Sequence, residues 1–176
     1  MSVNILGTDY DIAITTYIYL FNRNLTSIPD SISLLVNLRR LHLSDNEITT
    51  IPDSISSLVN LTELYLYNNK ITTIPDSISS LVNLQVLSLS GNYLTRIPDS
   101  ISSLVNLRTL GLSGNQITTI PDSILSLVNL QELQLSHNHI SDCDLSILSL
   151  MSISFTDFSN QTCKPEPILY LPDIIV

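Results

Sequence analysis

The chain has 176 residues, 44% of them hydrophobic and 13% charged, which excludes a disordered polar chain and suits one compact domain or a short repeat array. Its net charge of −9 disfavours nucleic acid and anionic membrane surfaces as partners, because both attract basic proteins. No apolar run reaches the roughly 20 residues of a membrane-spanning helix, and the first residues lack the basic and apolar regions of a signal peptide.

Residues 1–14 precede the recurring pattern, and we predict that they form an N-terminal cap over the exposed core edge of a repeat array. From residue 15 onward a pattern of 23 residues recurs, and we assign six repeats to residues 15–152. The segment IPDSISSLVN stands unchanged in three copies, at 51–60, 74–83 and 97–106. Self-similarity at such a period indicates a solenoid.

Each copy contains the motif L-x-x-L-x-L-x-x-N, whose last two leucines lie two residues apart and therefore share one face of a β-strand. One strand cannot bury such a face alone, but stacked copies can, as a parallel sheet with strands about 4.8 Å apart. The inward pairs are Leu41/Leu43, Leu64/Leu66, Leu87/Leu89, Leu110/Leu112 and Leu133/Leu135. The predicted fold class is an α/β solenoid with a concave parallel β-sheet.

Two columns of asparagine accompany the strands. One follows them, at Asn46, Asn69, Asn92, Asn115 and Asn138, and the other precedes them, at Asn37, Asn60, Asn83, Asn106 and Asn129. A carboxamide both donates and accepts, so a stacked column can satisfy buried backbone groups. We expect both columns to be buried and hydrogen-bonded, since an unpartnered buried group costs about 1–3 kcal/mol. Burial would make the Asn60-Leu-Thr glycosylation sequon accidental.

The return segment P-D-S-I-x-x-L-V is too short for a long helix and predicts about one turn of α- or 3₁₀-helix on the convex side. Proline fixes the backbone, Asp or Ser caps the turn, and Ile and Leu, three apart, point into the core. The aspartates form a column of like charge at 30, 53, 76, 99 and 122. It is either a cation-binding ridge or, as we favour, a set of solvated caps, because like charges about 5 Å apart are tolerable in water.

After Asn138 the pattern departs, and we assign 153–176 to a degenerate last repeat and a C-terminal cap or tail. A strand is predicted within 153–161, with Ile153 and Phe158 in apolar positions and Gln161 at the asparagine position. The apolar end ILYLPDIIV either folds back as a cap or leaves an edge that invites strand pairing or dimerisation.

The segment 137–144 holds residue types that bind metals, including His137, His139 and Asp144. However, a His-x-His sequence in a turn splays its side chains, and Cys143 falls at an inward core position. We therefore predict a structural role for this segment, with no metal site and no cofactor.

These repeats resemble the leucine-rich-repeat superfamily, and the 23-residue period with I-P-x-x-I-x-x-L resembles its intracellular, Ras-suppressor-like class. The resemblance implies a horseshoe that binds proteins and has no catalytic residues. The tail SNQTCKPEPILYLPDIIV is similar to the stretch that follows the repeats in bacterial internalins. An intracellular setting also fits the cysteine content, because Cys143 and Cys163 are the only two and most of the array has none.

The outward strand positions differ between copies, whereas the convex segment is nearly identical, so the concave face is where the chain's individual identity resides. We predict that a protein partner docks at its aromatic N-terminal end and lies across a floor of Ser and Gly. Aromatic residues with Arg are typical of interface hot spots. The predicted partner-binding residues are Tyr17, Tyr19, Phe21, Arg40, His42, Glu63, Tyr65, Tyr67 and, on the rim, Tyr93. Alternatively, the rings stabilise an exposed sheet through cross-strand pairing.

The predicted function is a protein–protein interaction scaffold. Enzymatic activity is not expected, because the chain contains no P-loop, G-x-S-x-G, H-E-x-x-H or C-x-x-C motif. Two alternatives stay open. The chain is a structural or self-associating module that forms a homodimer through concave or edge surfaces, or it is the recognition domain of a larger protein.

Overall fold

The computed structural model describes residues 1–141 and the strand at 155–157, and its main element is a seven-stranded sheet whose strands follow chain order. The strands are β3 (Tyr17–Tyr19), β4 (Arg40–His42), β5 (Glu63–Tyr65), β6 (Val86–Ser88), β7 (Thr109–Gly111), β8 (Glu132–Gln134) and β9 (Phe155–Asp157). Neighbours pair in parallel, one repeat apart, so that Leu41 lies opposite Leu64 and Leu64 opposite Leu87. The predicted parallel sheet is confirmed.

The five return segments described by the structure are 3₁₀-helices, and each spans five residues. They are η1 (Asp30–Leu34), η2 (Asp53–Ser57), η3 (Asp76–Ser80), η4 (Asp99–Ser103) and η5 (Asp122–Ser126). A 3₁₀-helix has three residues per turn, so an Ile and a Leu three apart lie on the same side. Ile55 and Leu58 are both buried accordingly, which confirms the predicted helical turn and fixes its type.

The expected side-chain caps on these turns are wrong. Proline occupies the cap position in an extended conformation, and no side chain there accepts a hydrogen bond. The N–H of Ile55 instead donates to the carbonyl of Pro52 at 3.0 Å, because 3₁₀ geometry brings that oxygen within reach. Ser56 Oγ donates back to the carbonyl of Asp53 at 2.8 Å, and the Asp53 side chain is exposed.

The leucines and isoleucines of successive turns stack into one continuous core, and the asparagines that follow the strands are buried beside it. Asn92 is representative. Its Nδ2 donates to the carbonyls of Leu66 and Leu89, both at 2.9 Å, and its Oδ1 accepts the N–H of Ile71 at 2.9 Å. One side chain thus joins consecutive turns, as predicted for this column.

The asparagines that precede the strands are hydrogen-bonded but exposed, so the expectation that they are buried is wrong. Nδ2 of Asn60 donates to the carbonyl of Val36 at 2.9 Å, and Nδ2 of Asn83 does the same to Val59. Their positions lie at the edge of the sheet, where the chain enters each strand from the solvent side. Because Asn60 is exposed, burial does not exclude its glycosylation sequon.

The chain begins with an antiparallel hairpin of β1 (Ser2–Ile5) and β2 (Thr8–Asp11). Leu6 and Gly7 form its turn with φ of 51° and 83°, the left-handed conformation that two-residue hairpin turns require. Val3 and Ile5 are buried in the common core. The division into 1–14, 15–152 and 153–176 stays a prediction.

At the other end, β9 lies within the strand predicted for 153–161 and pairs with β8. Residues 142–154 and 158–176 lie outside the described residues. Several expectations concern these residues and stay predictions: those for Cys143, Ile153, Phe158, Gln161 and the apolar end, including the internalin-like tail. Across the described part of the chain, no helix has the length and apolar character needed to cross a bilayer.

Candidate functional site

The strands place alternate side chains on opposite faces of the sheet, which separates the core from a possible binding surface. In β4, Leu41 points into the core, whereas Arg40 and His42 point outward. We call the surface formed by these outward side chains the concave face. Because the pairing is parallel and in register, outward residues of the same repeat position stand side by side.

Four aromatic rings surround His42 at the N-terminal end of the concave face, and we call these five residues the histidine cluster. The centroid distances from the imidazole are 5.8 Å to Tyr19, 5.6 Å to Phe21, 5.2 Å to Tyr65 and 5.8 Å to Tyr67. Tyr19 and Phe21 come from the turn of β3, Tyr65 and Tyr67 from the turn of β5, and His42 lies between them on β4. Tilted and edge-on packing at such distances is favourable for aromatic side chains.

This packing favours the neutral form of the His42 imidazole. Burial lowers its pKa from the ordinary value of 6.5, the positive charge of Arg40 acts in the same direction, and Asp45 opposes them. Its Nε2 is buried and finds no hydrogen-bond partner within the described residues. The cluster is therefore an aromatic surface around an imidazole that favours its neutral form.

A chain of polar contacts connects the same three strands beside the cluster. Nη2 of Arg40 donates to Oε1 of Glu63 at 2.6 Å, and its Nη1 donates to the hydroxyl of Tyr19 at 3.2 Å. The hydroxyl of Tyr65 donates to Oε2 of Glu63 at 2.8 Å. The hydrogen bond from Arg40 lowers the pKa of Glu63, and the hydrogen bonds to Glu63 and Tyr19 raise the pKa of Arg40. Burial, reinforced by Glu63, raises the pKa of Tyr65.

An open cleft of about 470 Å³ lies at the edge of this surface, and three of its lining residues, Thr16, Arg39 and Thr62, are not among the predicted site residues. The cleft is lined by Thr16, Tyr17, Tyr19, Arg39, Arg40, Thr62 and Glu63. The rings of Tyr17 and Tyr19 stand 5.8 Å apart along one wall. Arg39 occupies a repeat position that is polar in every copy, so only the side chains of the neighbouring turns distinguish Arg39 from its equivalents in other repeats.

Of the nine predicted site residues, the structure connects all but Tyr93 through ring contacts or hydrogen bonds. Tyr93 is exposed in the loop after β6 and takes part in none of the ring contacts found among residues 1–141. In the middle of the face, Gly111 of β7 is buried, with Ser88 of β6 and Gln134 of β8 as its strand partners. The shallow floor stays a prediction. Whether these residues bind a partner stays a prediction.

No group of three His, Cys, Asp or Glu side chains suited to a metal occurs within the described residues. The convex aspartates are exposed and stand one to a turn. Of the segment 137–144, residues 142–144 lie outside the described residues, so its interpretation stays a prediction.

The family model for the leucine rich repeat matches four overlapping stretches, residues 15–71, 36–94, 59–117 and 82–140. The chain belongs to the leucine-rich-repeat family. Proteins with leucine-rich repeats generally mediate protein–protein interactions and are typically scaffolds without enzymatic activity. None of the curated proteins compared with the chain matches it significantly.

Solved leucine-rich-repeat structures share this fold. A leucine-rich-repeat protein of Leptospira interrogans is 40% identical, with a TM-score of 0.79, over 81% of this chain and 37% of its own. The plant peptide hormone receptor RGFR1, in complex with RGF2, is 33% identical, with a TM-score of 0.64, over 77% of this chain and 22% of the receptor chain. An internalin (inlF) of Listeria monocytogenes is 23% identical, with a TM-score of 0.68, over 83% of this chain and 42% of the internalin chain. At this identity the likeness shows the fold alone. This chain spans less than half of each of them.

Proposed function

We propose that the chain binds a protein partner on its concave face, through Tyr17, the histidine cluster and the adjoining pair of Arg40 and Glu63. The observation that carries this proposal is the concentration of large rings on a water-facing sheet. Tyr17, Tyr19 and Phe21 are 62%, 49% and 47% exposed, so each leaves ring surface available to an interface. Aromatic residues beside an arginine are the composition of interface hot spots.

The contacts within the site also favour binding. The rings pack against His42, and Arg40 is held by Glu63 and Tyr19, so these side chains have already lost much of their rotamer freedom. A preorganised surface loses less entropy when a partner docks. The complex of the plant receptor RGFR1 with RGF2 supports a protein or peptide as the class of ligand.

The double variant Tyr17→Ala/Tyr19→Ala tests the proposal. We expect a partner recovered by affinity capture to bind it at least about 30-fold more weakly than the wild type, as hot-spot residues do. The control is Val82→Ala/Val105→Ala, which removes two exposed side chains from the outer side of the solenoid. Thermal unfolding of both variants checks the fold. Equal affinity of the tyrosine variant and the control would contradict the proposal.

Self-association is the second candidate, because the same exposed rings could bury one another in a homodimer. Light scattering during size-exclusion chromatography decides between the two. A mass of 19.5 kDa at high concentration would exclude the dimer. A mass of twice that value, lost in Tyr17→Ala/Tyr19→Ala, would replace the foreign partner with a second copy.

Three finer assignments belong to this proposal. The 23-residue repeat with I-P-x-x-I-x-x-L supports membership of the Ras-suppressor-like class. The scarcity of cysteine in the array supports an intracellular setting. The short span relative to the similar structures supports a recognition domain within a larger protein. The length of the complete reading frame tests the last of these.

A further inference from the structure

Arg39 is held by its backbone at the point where the chain enters β4, and its side chain extends into solvent. Its N–H donates to the carbonyl of Thr16 at 2.7 Å, and its own carbonyl accepts the N–H groups of Thr62 and Glu63 at 2.8 and 3.0 Å. The backbone is thus bonded to both neighbouring turns. The guanidinium takes part in neither of the two ion pairs found among the described residues, which are Arg40–Glu63 and Lys70–Glu47.

The other charged groups of the 470 Å³ cleft neutralise each other. Both carboxylate oxygens of Glu63 are occupied, one by Arg40 at 2.6 Å and the other by the Tyr65 hydroxyl at 2.8 Å. A cationic group entering the cleft would therefore meet a carboxylate that is already paired with Arg40 and hydrogen-bonded to Tyr65. An anionic group would find the guanidinium of Arg39, an uncompensated positive charge on a chain whose net charge is −9.

The walls of the cleft set a second requirement. Tyr17 and Tyr19 line the cleft from β3, and both are about half exposed or more. An apolar side chain next to the anionic one would cover them. On the other side, Arg39 borders a second open cleft of about 340 Å³ lined by amide, hydroxyl and guanidinium side chains, including Asn60 and Gln85. The rest of a peptide segment has room there.

We propose that this cleft binds an acidic segment of the protein partner, with a Glu or Asp carboxylate on Arg39 and a neighbouring apolar side chain on Tyr17 and Tyr19. The inference rests on the proposed function and specifies the chemistry of the partner. A guanidinium presents two parallel N–H donors that match the two oxygens of a carboxylate. The charge of Arg39 therefore selects for an acid.

The test uses two dipeptide probes, acetyl-Phe-Glu-amide and acetyl-Phe-Gln-amide, which differ in charge but hardly in shape. Each is titrated into the full chain while NMR follows the backbone amides and the arginine Nε–H groups. We expect the Glu probe to bind about five times more tightly than the Gln probe at low salt. The shifts should concentrate at Thr16, Tyr17, Arg39 and Thr62.

Arg39→Gln should abolish the preference for the Glu probe. The matched control is Arg108→Gln, which makes the same charge change at the same repeat position three turns further along, away from the cleft. It should retain the preference. Because the side chain of Arg39 makes no hydrogen bond or ion pair within the described residues, the variant should fold, and circular dichroism checks this.

Equal affinity for the two probes, or no binding of either at millimolar concentration, would overturn the inference. Equal loss of the preference in both arginine variants would also overturn it, because the effect would then come from net charge rather than from the cleft. None of these results would affect the proposed function, which depends on the affinity of Tyr17→Ala/Tyr19→Ala for a captured partner.

Discussion

Asparagine has two distinct structural roles in each repeat, and they differ in which atoms of the carboxamide are used. Asn92 uses both its oxygen and its nitrogen inside the core, toward the N–H of Ile71 and the carbonyl of Leu89. Asn83 uses only its nitrogen, toward the carbonyl of Val59, and stays exposed. Water can replace the second kind of contact but not the first, so the two columns should contribute very differently to stability.

We predict that Asn92→Ala lowers the free energy of unfolding by about 3 kcal/mol, because several buried groups lose their partner at about 1–3 kcal/mol each. Asn83→Ala, the matched change in the exposed column, should lower it by less than about 1 kcal/mol. Urea unfolding followed by circular dichroism measures both values. A similar loss in the two variants would contradict the distinction.

His42 should make the stability of the fold depend on pH. Burial lowers its pKa below the ordinary value of 6.5, so the unfolded chain takes up this proton at a higher pH than the folded chain. The stability that the neutral imidazole provides is therefore fully present above about pH 6.5 and is lost as the pH falls through the folded-state pKa. Glu63, whose pKa is lowered, adds a loss of the same sign at more acidic pH, below its ordinary value of 4.5.

The variant His42→Phe isolates this effect, because it retains a ring in the cluster but cannot titrate. Between pH 7.5 and 5, the wild type should lose stability relative to the variant, with a slope of at most about 1.4 kcal/mol per pH unit. His137 and His139 are present in both proteins, so their contributions cancel. Parallel pH profiles of the free energy of unfolding would show that His42 does not titrate differently on folding.

At the scale of the element, the tight turn after each strand depends on a left-handed residue. Six residues occupy this position in the turns after β3 to β8, with φ between 52° and 67°: Asn22, Asp45, Asn68, Gly91, Gly114 and His137. Asn and Gly adopt this conformation readily, whereas it costs most other residues roughly 1–2 kcal/mol. A Cβ at Gly114 would meet no atom closer than 3.5 Å, so the backbone conformation alone limits substitution there.

Gly114→Val should therefore lower the free energy of unfolding by about 1–2 kcal/mol, because valine strongly disfavours positive φ. Gly114→Asn should change it by less than about 0.5 kcal/mol, as asparagine already occupies this position in other turns. Thermal or urea unfolding compares the two variants. If both lose the same stability, space rather than conformation is limiting.

The repeat itself made the strands and the return turns predictable, because the same 23-residue pattern imposes the same local geometry on each turn. What it could not predict depends on neighbouring turns. Whether Asn60 is buried depends on whether the entry to its strand faces solvent. The side chain of Asp53 does not cap its turn, because Pro52 occupies the cap position and its carbonyl accepts the backbone N–H of Ile55. Arg39 was missed for the same reason, since its distinction from Arg108 lies in the side chains of adjacent repeats.

At the scale of the whole molecule, each turn contacts only its neighbours. Removing one repeat therefore tests separately which residues the fold needs and which residues partner binding needs. Residues 59–81 and 82–104 both begin with Val, end with Leu and span one period. Either deletion joins Leu to Val as in the intact chain and keeps the asparagine ladder in register, with one fewer turn. Only the first deletion removes Glu63, Tyr65 and Tyr67.

Both shortened proteins should therefore fold, with similar circular dichroism per residue and similarly lowered melting temperatures, since stability in a solenoid is roughly the sum of repeats and interfaces. The protein without 82–104 loses Tyr93 and part of the predicted floor but keeps the histidine cluster, and it should retain most of its affinity for the captured partner. The protein without 59–81 leaves His42 without two of its rings and Arg40 without its carboxylate, and it should lose binding. Equal affinity of the two would place the partner away from the aromatic end, since the deletions differ mainly in the side chains they remove from the concave face.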